Sequence, residues 1–242
     1  MINAKKDHRF EKIFYYYQQY YLIPKHFSLV SSKGELDEEQ HLPTIYIANH
    51  SSWWDGLLLF QLTQKTSMED HYIMMTEEGL KQYRFFRKLG AYSVRRDHPK
   101  DLIQSLRYTQ TLLEHGKKVW LFPQGSIQHQ HIPDYQFMRG IGLLLSMFDQ
   151  VMIKPVTFHY YFHERQKPIA AIDIGKGQLI HGTDAKDSLV HQCESLLQGQ
   201  RQSQLKRLID QPEAPFHAPY HPIITPSLST SDRFNRLMRR GS

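Results

Sequence analysis

Short apolar runs alternate with longer segments that carry apolar residues at helical spacing along most of this chain. Runs rich in β-branched and aromatic residues predict strands, and the longer segments, bounded by Gly, Pro and Ser, predict helices. The predicted strands cover residues 44–48, 71–75, 91–94, 118–122, 151–159 and 169–175. The predicted helices cover residues 53–64, 77–88, 100–115, 140–149 and, approximately, 184–210. Such alternation is typical of an α/β fold with a largely parallel central sheet flanked by helices, and we predict that fold here.

The N-terminal segment has a different pattern. Residues 10–23 predict a helix that ends at Pro24, and its aromatic residues are mostly tyrosines. Basic residues lie on both sides of this helix, namely Lys5, Lys6, Arg9, Lys12 and Lys25. Aromatic side chains next to lysines suit the interface of a bilayer. A terminal helix that covers the core has the same pattern, and both interpretations can hold together.

The chain therefore divides into three predicted parts. An amphipathic aromatic helix covers residues 1–27, a single domain covers residues 28–211, and a tail covers residues 212–242. The domain begins with a polar stretch at residues 31–43. Repeated prolines predict that the tail is an irregular strap or is disordered. Its basic end is predicted to be either a short amphipathic helix on anionic lipid or a solvated terminus, and it contains Arg233, Arg236, Arg239 and Arg240.

Composition narrows the class of protein. The 242 residues carry a formal net charge of +6 and a pI near 9.2, which favours an anionic partner. A single cysteine, Cys193, excludes an internal disulfide and is consistent with a reducing compartment. Neither a run of about 20 apolar residues nor a signal peptide is visible, so we expect a peripheral protein on the cytoplasmic face of a membrane. Nucleic acid is not an expected partner, because net charge alone suggests it and no recognition motif accompanies it.

The strongest chemical signal is the segment from Asn49 to Asp55. It follows a predicted strand and contains His50 and Asp55 in a His-x4-Asp spacing. Ligands of α/β proteins bind at the carboxyl ends of strands, and an aspartate in the first turn of the next helix can reach back to one ring nitrogen of the histidine. The other ring nitrogen is then free to take a proton, which is the arrangement of a base with its orienting carboxylate. In isolation, however, the same spacing is more often a helix N-cap beside a histidine.

Three further sequence blocks follow in order, and together they favour the catalytic interpretation of the His-x4-Asp segment over the helix N-cap. They are Gly90 to Arg96, Phe122-Pro123-Gln124-Gly125-Ser126, and Ile153-Lys154-Pro155-Val156. With the His-x4-Asp segment they resemble the four motifs of the glycerolipid acyltransferase family, whose best-known member is 1-acyl-glycerol-3-phosphate acyltransferase. The turn at Met138-Arg139-Gly140 also lies where the family has a basic residue and a glycine. The resemblance covers residues 40 to 160, approximately.

The resemblance implies a role for each matching residue. His50 would be the general base for a lipid hydroxyl and Asp55 would orient it. The hydroxyl would then attack the thioester of acyl-CoA or acyl-carrier protein, with no cofactor and no metal. Backbone N–H groups of the turn formed by Pro123, Gln124, Gly125 and Ser126 would stabilise the oxyanion. Arg95, Arg96 and Arg139 would hold a phosphate or another anionic group.

Departures from the family pattern leave the acceptor open. Gln124 replaces a glutamate, Ser126 replaces a threonine, and Ile127 stands where a phosphate-binding arginine is usual. Isoleucine cannot form a bidentate phosphate clamp, so a glycolipid or a glycosylated isoprenoid becomes an alternative to lysophosphatidic acid. Arg139 and Lys154 are candidates to compensate. A thioester hydrolase using the same dyad is a second alternative.

One weaker signal is His129-Gln130-His131, whose spacing resembles that of metal ligands. Neither a His-Glu-x-x-His helix nor a cysteine pair accompanies it, so we predict a pair of loop histidines instead.

Overall fold

The computed structural model describes residues 1–37 and 42–225, and these form one central sheet covered by helices on both faces. Within this part of the chain the strands are β1 Leu29–Lys33, β2 Thr44–Ala48, β3 His71–Thr76, β4 Ala91–Val94, β5 Lys118–Leu121, β6 Gln150–Tyr161, β7 Ile169–Ile174, β8 Gln178–His181 and β9 His221–Pro222. Their order is β4-β3-β5-β2-β6-β7-β1-β9, and β8 pairs with the start of β6. The five strands from β4 to β6 are mutually parallel, as is the β1–β7 pair. The predicted α/β fold with a largely parallel sheet is confirmed.

Most predicted helices are present, with bounds that are shifted or shortened. The α-helices are α1 His8–Tyr17, α2 Ile23–His26, α3 Asp55–Thr66, α4 Glu77–Gln82, α5 Pro99–Glu114, α6 Gly140–Leu145 and α7 Lys186–Asp210. The prediction of one helix over residues 77–88 was wrong, because the backbone of Tyr83 leaves the helical region and a 3₁₀ helix continues from Arg84 to Leu89. Gly90 ends it with φ of 96°, a left-handed conformation that glycine adopts without strain.

The predicted stop at Pro24 was also wrong, because the N-terminal helix continues to His26. A π-helical turn from Gln18 to Leu22 joins α1 to α2. At the end of this turn the Ile23 N–H donates to the carbonyl of Gln18, five residues back. Pro24 lies where the hydrogen-bond register returns to four residues, so its missing N–H is tolerated.

Strand β1 lies partly within the stretch that the sequence predicted to be polar. Ser31 and Ser32 are nevertheless buried, and β1 is paired on both edges, with the parallel strand β7 and the antiparallel strand β9. Strand β9 belongs to the Pro-rich tail, which packs on the sheet through Tyr220, Ile223 and Ile224. The predicted strap is therefore present over residues 212–225, and the Arg-rich end lies outside the described residues.

The two faces of the sheet carry separate apolar clusters. Along β2, Ile45 and Ile47 point to one face, which packs against α5, α6 and α7 and includes the buried Cys193. Tyr46 and Ala48 point to the other face, which packs against α3 and the end of the N-terminal helix. Across residues 1–37 and 42–225, no helix is long and apolar enough to cross a bilayer.

Candidate active site

Residues from three of the four motifs meet at one end of the sheet. His50 follows β2, Pro123 follows β5, and Arg96 follows β4. Because these strands are parallel, their carboxyl ends lie along one edge, where the ends of parallel strands commonly bind ligands.

Asn49 fixes the chain as it leaves β2. Its side-chain amide donates to the carbonyl of Phe158 at 3.0 Å and accepts from the N–H of Phe158 at 2.7 Å. The Asn49 side chain thus bonds the backbone of β6 in place of a further residue of β2. The strand pairing therefore ends at Asn49, and the next residue, His50, leaves the sheet there.

His50 and Asp55 form the hydrogen-bonded pair that their spacing predicted. The distance from His50 Nδ1 to Asp55 Oδ2 is 2.9 Å. An ionised carboxylate only accepts hydrogen bonds, so Nδ1 carries the proton and Nε2 is left with a free lone pair. The imidazole also stacks on the ring of Phe122, with 4.3 Å between centroids. The His50 side chain is 22% exposed and lines a cavity, so it can meet a substrate.

Asp55 is fully buried at the start of α3, where the helix dipole favours a negative charge. Its Oδ2 atom also accepts from the backbone N–H groups of Ser51 at 2.7 Å and Ser52 at 2.9 Å. The other oxygen, Oδ1, accepts from the hydroxyl of Tyr160 at 2.5 Å. Sequence reasoning missed Tyr160, because it lies 105 residues from Asp55 inside an ordinary strand and no local motif marks it.

Next to the dyad lies a cavity of about 480 Å³, within the usual size range of ligand sites. Its interior is mainly apolar and is formed by β3, β4, β5, α5 and α6. The apolar lining residues include Ile73, Met75, Val94, Leu102, Leu106, Leu121, Ile141 and Leu144. At its mouth Trp53 and Ile127 are 46% and 52% exposed. The cavity is suited to an apolar chain whose reactive end lies beside His50.

The turn after β5 forms part of the same cavity. Its Gly125 has φ of 75°, and the Gly125 N–H donates to the carbonyl of Phe122 at 3.0 Å. A Cβ atom at this position would lie 2.4 Å from Nη1 of Arg96, so the guanidinium packs directly on the glycine. Glycine is therefore required here both for the backbone conformation and for the approach of Arg96.

Both ends of the Gln124 side chain bond to other parts of the protein. It is buried; its Oε1 accepts from the N–H of His50 at 2.7 Å, and its Nε2 donates to Oε1 of Gln128. Both ends of the amide are thus used to hold the His50 loop against the turn. Its polar side-chain atoms therefore face protein, and the predicted role of this turn in stabilising the oxyanion concerns its backbone N–H groups.

Basic residues from the motifs are distributed unequally. Arg96 lines the cavity, and it is the single Lys or Arg to do so among the residues described. Arg95 instead pairs with Asp101 at 3.0 Å and approaches Glu77 at 4.0 Å. Lys154 is buried, and its Nζ donates to the carbonyl of Leu36. Arg139 is exposed at the start of α6 beside the lining residues Met138 and Gly140. The structure therefore brings Arg96 to the cavity and leaves Arg95, Arg139 and Lys154 outside it.

The histidine pair at residues 129 and 131 lies in the loop that covers β6. The two rings are 5.3 Å apart, and His131 also contacts His159. Burial lowers the pKa of His159 to about 4, so its ring is neutral near pH 7. Over the described ranges, no group of three or more His, Cys, Asp or Glu side chains is arranged to hold a metal ion.

Comparison with known proteins agrees with the motifs. The family described as Acyltransferase matches residues 30–159, which is more than half of the chain. This chain belongs to the acyltransferase family. It is an enzyme of that class, as the four ordered motifs predicted.

A solved structure supports the fold of this acyltransferase. The crystal structure of the 1-acyl-sn-glycerophosphate (LPA) acyltransferase PlsC from Thermotoga maritima is similar, with a TM-score of 0.57 and 16% sequence identity. The match covers 83% of this chain and 80% of that chain. No curated protein matches the sequence.

Proposed function

We propose that this acyltransferase moves a fatty acyl group from acyl-CoA or acyl-carrier protein to a lipid hydroxyl, without a cofactor. The observation that carries the proposal is the position of the His50–Asp55 pair beside a mainly apolar cavity. A hydroxyl is a weak nucleophile near neutral pH, and a positioned base contributes roughly 10²- to 10⁴-fold to its attack.

His50 Nε2 accepts the proton of the acceptor hydroxyl while the oxygen attacks the thioester carbonyl. The tetrahedral intermediate then expels the thiolate, and the imidazolium returns the proton to sulfur. Because the Gly125 N–H is already bonded to Phe122, the N–H groups of Gln124 and Ser126 are our candidates for the oxyanion donors. Asp55 stabilises the imidazolium and holds its orientation.

For the acceptor we favour a 1-acyl-glycerol-3-phosphate, the substrate named for the similar Thermotoga enzyme. Arg96 is available beside Gly125 to bind the phosphate, in agreement with the net charge of +6. A neutral acceptor such as a glycolipid or glycosylated isoprenoid is the second candidate. The observation that favours it is the exposed, apolar Ile127 at the cavity mouth, where a second cation would strengthen a phosphate site.

Product analysis separates these candidates. The purified protein is incubated with acyl-CoA or acyl-carrier protein and a crude lipid extract, and the products are identified by mass spectrometry. We expect diacylated glycerol phosphate; an acylated neutral glycolipid instead would favour the second acceptor. Free fatty acid without any acylated lipid would contradict the proposed transfer.

We also propose that the enzyme works as a peripheral protein on the cytoplasmic face of a membrane. One side of the N-terminal helix exposes Ile13, Tyr16, Tyr17, Tyr20 and Tyr21, and we call these five residues the aromatic stripe. Their spacing of three and four residues keeps them on one face, while Phe14 on the inner face packs on Phe60 and Phe85. Exposed Arg9, Lys12 and Lys25 supply positive charge for anionic lipid.

The aromatic stripe can be tested with Tyr20→Ser, since Tyr20 is 74% exposed. We expect binding to anionic liposomes to weaken several-fold in a sedimentation assay, with unchanged thermal stability, because an interfacial aromatic ring is lost. The control is Leu179→Ser, an exposed apolar residue on β8 at the opposite end of the sheet from His50. Equal liposome binding by the two variants would contradict the assignment.

A further inference from the structure

The carboxylate of Asp55 receives hydrogen bonds from two different parts of the chain. All three donors to Oδ2 come from its own loop: His50, Ser51 and Ser52. The donor to Oδ1 comes from Tyr160 on β6. An ionised carboxylate accepts hydrogen bonds at both oxygens, and Tyr160 supplies the bond to Oδ1.

The hydroxyl of Tyr160 is itself held firmly. The side-chain amide of Gln130 bonds the backbone of Tyr160 twice, at 2.9 Å to its carbonyl and at 3.1 Å from its N–H. The Tyr160 ring packs on Phe27, whose own ring meets the edge of Trp54 immediately before Asp55. Burial and the charge of Asp55 raise the pKa of Tyr160 well above its ordinary value, so the hydroxyl stays protonated and donates.

We propose that Tyr160 is a positioning residue for acyl transfer, which fixes the Asp55 carboxylate in the plane that His50 requires. This inference rests on the proposed role of His50 as the base. Without the hydroxyl, Oδ1 would be a buried, charged oxygen that has lost its donor from β6, and such an atom is costly to leave unsatisfied. The Asp55 carboxylate would then be held only by the donors to Oδ2, and the His50 imidazole that it orients would be less well aligned with the acceptor hydroxyl.

The test uses Tyr160→Phe, which removes one oxygen atom and leaves the ring. The matched control is Tyr161→Phe, which removes the same atom from the next residue of β6. The hydroxyl of Tyr161 donates to the carbonyl of Pro212 in the tail, so this control does not touch Asp55. Thermal unfolding of both variants measures any loss of stability that they share.

Two readouts distinguish positioning from a structural role. The NMR signal of the Nδ1 proton of His50, assigned with His50→Gln, should change its chemical shift in Tyr160→Phe and keep it in Tyr161→Phe, because only the first variant alters the carboxylate to which this proton is bonded. We expect kcat to fall about tenfold, with KM for the acyl donor changed less than about twofold, since the interaction acts on the reacting geometry.

The outcomes separate this inference from the proposed function. No acyl transfer by the wild-type enzyme contradicts the proposed function, and the NMR signal of the His50 Nδ1 proton still measures the coupling of Tyr160 to His50 without substrate. An active wild type together with a Tyr160→Phe variant that keeps its kcat and the chemical shift of the His50 Nδ1 proton overturns the role of Tyr160. Equal changes in Tyr160→Phe and Tyr161→Phe would also overturn it, because a general effect on β6 would then explain the loss.

Discussion

Replacing His50 by alanine is expected to lower kcat by at least about 10³-fold while the fold is retained. The imidazole is the group that can take the hydroxyl proton, and its loss removes both that base and the partner of the buried Asp55. The side chain is partly exposed at the cavity mouth, so its removal leaves no buried void in the core. Turnover is measured by the appearance of acylated lipid, and folding by circular dichroism and thermal unfolding.

His115→Ala is the control for this experiment. His115 is another histidine whose Nδ1 contacts an oxygen, here the carbonyl of Thr111, but it lies exposed at the end of α5. It should keep its activity. Wild-type turnover in His50→Ala would remove His50 from the mechanism, and a matching loss in His115→Ala would show that the assay reports on something other than the dyad.

The sequence was most informative where the chemistry is local. His50 and Asp55 are joined by a strand exit and one helical turn, so their spacing allows the hydrogen bond, and the three further motif blocks favoured it over a simple helix N-cap. The apolar periodicity of the strands likewise predicted the sheet, because strands buried on both faces need continuous apolar runs. The blocks at Arg96 and Gly125 could be assigned to one site because parallel strands end along the same edge.

What the sequence could not predict depends on contacts between distant segments. Buried serines in β1 look like a polar loop until β7 and β9 cover them. Arg95 and Arg96 are neighbours with the same chemistry, and only the folded chain shows that Arg95 forms an ion pair with Asp101 on α5 while Arg96 lines the cavity. The bond from Gln124 to His50 and the bond from Tyr160 to Asp55 likewise join parts of the chain that local motifs do not connect.

Gly125→Ala is expected to lower kcat/KM by about 10²-fold, the second-largest effect that we predict. The new Cβ would lie 2.4 Å from Nη1 of Arg96 and 3.1 Å from Cγ of Met138. A guanidinium at the end of a long side chain moves more easily than the backbone, so Arg96 should be pushed out of the cavity. Small displacements of groups in an active site lower the reaction rate by large factors. The measurement is kcat/KM for acyl transfer to the acceptor identified by product analysis.

Backbone strain must be separated from the loss of Arg96, and Gly116→Ala does so. Gly116 has φ of 73°, close to that of Gly125, and an added Cβ there would meet nothing within 4 Å. Both variants should lose about 1–2 kcal/mol of stability from the left-handed conformation, but Gly116→Ala should keep full activity. If the effect acts through Arg96, then Gly125→Ala combined with Arg96→Ala should be no worse than Arg96→Ala alone. If the losses of the two single variants add up in the double variant, the effect of Gly125→Ala belongs to the N–H groups of the turn. If Gly125→Ala and Gly116→Ala are equally active, the packing of Arg96 on Gly125 is not required for catalysis.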